Sequence, residues 1–154
     1  MEVALSKKRL FVLLVLVVFA VAACSRADDP PIVIKDVWAR PGSAQRPPAV
    51  SAIYMTIENN TSSDDRLLRI ETDVTAISEI HQTTIADDIA RMRPLEDGLE
   101  LPANETVILE PGGTHIMLMQ LQRDLEVGDT FAIALQFASG ATMTVDVPVR
   151  EQNS

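Results

Sequence analysis

Two histidines, His81 and His115, are all that the 154 residues contain, and each stands near a methionine. Ten residues, Gln82 to Arg91, separate His81 from Met92. A further 22 residues, Arg93 to Thr114, lead to His115, with Met117 two positions beyond it. An imidazole nitrogen and a thioether sulfur are both uncharged lone-pair donors. Two of each make a soft set, because thioether favours Cu(I) whereas Zn(II) prefers thiolate, imidazole and carboxylate. A site built from His81, Met92, His115 and Met117 would therefore select reduced copper. The same residues admit a plainer account, in which the histidines are edge-strand residues with ordinary hydrogen bonds and the methionines fill core space.

Strands must position these side chains. His115 and Met117 are separated by one residue, so the strand period of two points them to one face, and Met119 continues the row. The Pro111-Gly112-Gly113 turn places His115 at the start of its strand, near an accessible end of the fold. His81 and Met92 belong to a hairpin. A turn centred near Ala86 and Asp87 sets them opposite each other, with β-carbons about 5 Å apart. Short β-rich runs bounded by Pro, Gly, Asn and Asp recur along the chain: 33–39, 51–58, 66–72, 77–84, 89–93, 106–109, 115–121, 130–137 and 143–149. Alternation is clearest in Ile53-Tyr54-Met55-Thr56-Ile57 and Met143-Thr144-Val145-Asp146-Val147. The pattern predicts one all-β domain, an antiparallel β-sandwich, over residues 32–150 with a short polar tail at 151–154.

The N-terminal stretch reads as a targeting signal. Lys7, Lys8 and Arg9 precede an apolar run from Leu10 to Ala23, the pattern of a secretory signal peptide and too short for a comfortable membrane span. The run ends Val21-Ala22-Ala23-Cys24, which resembles the lipobox of bacterial lipoproteins, with lipid attached to Cys24 after removal of residues 1–23. An ordinary signal peptide cut near Ala23 is the other reading, and either one exports the protein. Residues 24–31 end in Pro30-Pro31 and suit an extended tether. The expected location is thus extracytoplasmic, on a bacterial cell membrane through the lipid.

Charge and cysteine count exclude several classes. The whole chain carries a formal charge of −9, and losing Lys7, Lys8, Arg9 and Glu2 with the signal leaves −11. Nucleic acid is excluded as a partner, since phosphate neutralisation needs clustered Lys and Arg. Cys24 is the single cysteine, so no intramolecular disulfide forms and no thiolate lies between the histidines, as a blue-copper electron carrier would require. Ser51, Ser78 and Ser139 stand in no nucleophile context, and a closed two-His, two-Met site offers no water to activate. The reading is therefore not an enzyme. A lipid-anchored surface β-sandwich with a structural or adhesive role is the alternative to metal carriage.

The spacing His, ten residues, Met, a little over twenty residues, His-x-Met resembles that of the PCu(A)C-type extracytoplasmic copper chaperones. The likeness extends over nearly all of Val37 to Val149. It includes Met92-Arg93-Pro94-Leu95, Leu99-Glu100-Leu101-Pro102, Glu110-Pro111-Gly112-Gly113 and His115-Ile116-Met117-Leu118-Met119. The resemblance implies a cupredoxin-like Greek-key β-sandwich with His81, Met92, His115 and Met117 as Cu(I) ligands. It also implies delivery of copper to an accepting protein, such as the cytochrome c oxidase subunit bearing the copper A centre, or another copper chaperone. Gln82 stands where the family often has methionine or glutamate, so no extra sulfur is offered there. The tail Glu151-Gln152-Asn153-Ser154 lacks a His- and Met-rich extension, so nothing points to a second copper site.

Overall fold

The computed structural model describes residues 31–87 and 89–152. The expected signal peptide 1–23, Cys24, all but the last residue of the tether, and the final two residues of the tail lie outside them. Among the described residues there are ten strands and no helix. They are β1 (Ile32–Ala39), β2 (Val50–Asn59), β3 (Asp65–Glu71), β4 (Thr75–Ala86), β5 (Ile89–Pro94), β6 (Leu99–Leu101), β7 (Thr106–Leu109), β8 (Thr114–Leu121), β9 (Thr130–Phe137) and β10 (Thr142–Pro148). Nine match the expected runs to within two residues. The unforeseen one, β6, is Leu-Glu-Leu, and three residues are too few to show alternation.

One sheet runs β1-β2-β8-β4-β5, with β7 also paired to β2, and the other runs β10-β9-β3-β6. All the strand pairings are antiparallel. The chain passes repeatedly from one sheet to the other, so crossovers rather than a simple meander join the strands, in keeping with a Greek-key sandwich. β2 is long enough to hold β8 against Val50–Ile53 and β7 against Met55–Glu58.

The two sheets close over a shared core. Ile53, Met55 and Ile57 of β2 and Ile116 and Leu118 of β8 meet Leu67 of β3, Leu101 of β6 and Ile133 and Leu135 of β9, all fully buried. Each such side chain contributes about 1.5–3 kcal/mol of burial free energy. Buried Asn59 closes the end of β2: its Nδ2 donates to the carbonyls of Ser63 and Leu101 at 2.9 and 2.8 Å, and its Oδ1 accepts from Thr61 N. Because Ile116 and Leu118 face inward, the period of two turns His115, Met117 and Met119 outward. The candidate donors on β4 and β8 thus stand on the outer face of the larger sheet, held by strands whose opposite faces are fixed in the core, whereas β5, which carries Met92, is exposed along its length.

Candidate metal centre

His81 and His115 are directly opposed on adjacent strands, β4 and β8. Their ring centroids are 6.0 Å apart. Glu79 is opposite Met117 in the same ladder, which puts Met117 on the face that carries both imidazoles. Met92 arrives from β5, but its cross-strand partner is Thr83, and His81 pairs with Pro94. This corrects the expected direct opposition of His81 and Met92. The hairpin closes at Ala86↔Ile89, one residue later than a turn centred on Ala86 and Asp87, and Asp87 takes a positive φ of 53°, which aspartate tolerates in tight turns. Met92 is therefore the diagonal neighbour of His81 on the same face, a separation of roughly 7–8 Å that a long side chain spans.

A concavity of about 340 Å³ on the outer face takes in three of the four candidate residues, His81 not being among those that line it. Its wall includes Met92, His115 and Met117 together with Ala52, Tyr54 and Thr83. Burial is graded across it. His115 is 7 % exposed, Met117 is half-buried and Met92 is 59 % exposed. The β7–β8 turn sets His115 in place through one carbonyl: Gly113 O accepts from His115 Nδ1 at 3.1 Å and from Thr83 N at 3.2 Å. On the other side a row of rings walls the site. Trp38 and Tyr54 are cross-strand partners with centroids 4.6 Å apart, and Tyr54 lies 6.3 Å from the His115 ring. A bulge in β1 between Lys35 and Trp38, with Asp36 at φ 52°, sets the register that brings Trp38 opposite Tyr54.

Proton positions follow from these contacts. His115 Nδ1 faces a carbonyl and must donate, so its Nε2 carries the free lone pair. His81 Nε2 lies 2.9 Å from Glu79 Oε2, while its Nδ1 is buried without any hydrogen-bond partner. A buried nitrogen in that state is costly unless something coordinates it. Burial holds the His115 pKa below its ordinary value of 6.5; the Gly113 carbonyl opposes this, and electrostatic interaction with His81 and Arg40 adds to the lowering. The ring is thereby kept neutral, the form that binds metal.

The donor set has the softness expected for Cu(I). Among the described residues no group of three or more His, Cys, Asp or Glu side chains is arranged to hold a metal ion. The serines take other parts. Ser51 Oγ donates to the Arg40 carbonyl at 2.6 Å and Ser139 Oγ to Asp65 Oδ2 at 2.7 Å, so neither is paired with a histidine base. Sequence spacing points to the four candidate donors but passes over Glu79, whose position two residues before His81 in a strand is the signal that would have revealed it.

Comparison with known proteins agrees with this architecture. Residues 32–149 match the family described as "Putative lipoprotein LpqE-like". A relative, "Putative lipoprotein Lxx21020" of Leifsonia xyli subsp. xyli, is 30 % identical over 102 residues, covering 66 % of this chain and 61 % of its own length. The chain spans less than two thirds of the length of the curated relatives it matches. Among solved structures, the solution structure of Cu(I)-DR1885 from Deinococcus radiodurans is 30 % identical with a TM-score of 0.63, covering 85 % of this chain and 86 % of that one. The copper-bound PCuAC domain from PmoF2 is 24 % identical with a TM-score of 0.64, covering 80 % and 95 % respectively, and shares the fold. The chain belongs to the LpqE-like family, and its fold is that of the PCuAC domains.

Proposed function

We propose that this chain is a copper chaperone: it carries one Cu(I) ion outside the cytoplasm on His81, Met92, His115 and Met117 and passes it to a copper-accepting protein. The observation that carries this reading is the buried, unpartnered Nδ1 of His81, on the same sheet face as a neutral His115 and two methionines. The likeness to a structure described as Cu(I)-bound supports the choice of metal. Anchorage through lipid on Cys24 is part of the proposal, supported by the Val21-Ala22-Ala23-Cys24 stretch and the name of the Leifsonia relative.

The graded exposure suggests an order of exchange. Copper stays Cu(I) throughout, so transfer is a replacement of one ligand by another, with no electron moved. An acceptor's ligand displaces the exposed Met92 first, then Met117, and the imidazoles, fixed by Gly113 and Glu79, let go last. Following the family resemblance, the acceptor is the copper A centre of cytochrome c oxidase. The test is transfer: the whole chain loaded with one Cu(I) is mixed with a metal-free, soluble copper A domain, and copper in each is measured after separation. Movement of copper to the oxidase domain is expected. Retention by a loaded donor would remove that acceptor, and failure to load at all would leave the adhesive or structural sandwich.

A further inference from the structure

Glu79 is not a donor to which the His-Met spacing points, yet it makes the hydrogen bond that sets the His81 ring. Residues 79 and 81 share one side of β4, and Glu79 Oε2 lies 2.9 Å from His81 Nε2. An ionised carboxylate only accepts, so Nε2 carries the proton and Nδ1 is left with a bare lone pair, buried and unpartnered. His115 is set the other way round. Its Nδ1 donates to Gly113 O, which leaves Nε2 bare. Two opposed histidines thus present different nitrogens, each chosen by the group behind it.

We propose that Glu79 is the positioning residue for His81, holding the ring in the Nε2–H form and at the angle that offers Nδ1 to Cu(I). The inference rests on His81 being a ligand. Glu79 suits a supporting role better than a ligating one, because its Oε2 is engaged by His81 and carboxylate oxygen is a hard donor, poorly matched to Cu(I). Its side chain is 44 % exposed and faces away from the core, so its replacement leaves the sandwich packing untouched.

The experiment uses the whole chain labelled with ¹⁵N-histidine, as wild type, Glu79→Ala, Glu79→Gln and His81→Ala. Nitrogen chemical shifts are read without metal and with one equivalent of Cu(I), and Cu(I) affinity is measured against a chromogenic chelator under reducing conditions. In the metal-free wild type the His81 proton is expected on Nε2, and Cu(I) should perturb Nδ1. Glu79→Ala should lower affinity by about 10- to 100-fold. It should also spread coordination over both ring nitrogens. Glu79→Gln, whose amide oxygen still accepts from Nε2–H, should recover most of the affinity. A wild-type proton on Nδ1 would overturn the inference without recourse to any variant, so misfolding cannot shelter it. Wild-type affinity in Glu79→Ala would overturn it too, as would Glu79→Gln being as weak as Glu79→Ala, since carboxylate charge or direct ligation would then be what counts. If His81→Ala binds Cu(I) normally, the ligand reading itself falls; if His81→Ala is weakened and Glu79→Ala is not, only the positioning role falls.

Discussion

At the residue scale, Met117 and Met119 test what distinguishes a ligand from its neighbours. Both point outward from β8, but Met117 shares a concavity with His115 and Met92, whereas Met119 is cross-strand to Ile77 and Val50. Met117→Ala should lower Cu(I) affinity by at least about tenfold while changing stability by roughly 1 kcal/mol or less. Met119→Ala should leave the affinity near wild type. Chelator competition and thermal unfolding measure the two quantities, and the reverse ranking would show that the wrong sulfur has been assigned. His115 carries a pH prediction. Its pKa in the folded chain lies below the ordinary 6.5, mainly through burial, so between the two values the unfolded chain binds the extra proton. The contribution of this site to stability is therefore intact above pH 6.5 and declines as pH falls below it. Denaturant midpoints of the metal-free chain at pH 7.5 and 5.5 should differ more in wild type than in His115→Gln; equal differences would contradict the buried neutral ring.

At the scale of elements, β8 does two jobs with alternate residues. Ile116 and Leu118 anchor it in the core while His115 and Met117 look out. Ile116→Ala should cost about 2–5 kcal/mol, as a cavity forms among side chains that cannot fully close over it. Met92→Ala, on a strand exposed along its whole length, should cost about 0.5 kcal/mol or less and act on copper alone. Urea unfolding and Cu(I) titration of the pair would separate the two faces, and a large stability loss in Met92→Ala would contradict the exposed placement. Much of this was legible in the sequence. The row His115, Met117, Met119 followed from a period of two, and the strand boundaries from turn residues. The partner of Met92 was not, because hairpin register hangs on where the turn closes, and the Asp87-Asp88 stretch permits more than one centre. Nor was the aromatic wall. Trp38 meets Tyr54 only because a bulge at Asp36 resets the register of β1, and no periodicity announces an irregularity of one residue. Glu79 could have been read from the sequence, since residues i and i+2 of a strand share a face.

For the whole molecule, the proposed role is that of a small exported carrier that would hold its cargo on an outer sheet face, within reach of a partner. The lipid claim belongs at this scale. Protein recovered from the membrane of its native host should begin at Cys24 and carry the mass of a lipid modification there. An unmodified Cys24 would contradict the anchor while leaving export and the metal site intact. The central claim is that this face selects Cu(I) through thioether sulfur, and a competition titration of the whole chain with Cu(I) and Zn(II) addresses it most directly. One tightly held Cu(I) per chain is predicted, with feeble Zn(II) binding and loss of tight Cu(I) binding when Met92 and Met117 are both replaced by alanine. Tight Zn(II) binding that survived both replacements would contradict the account.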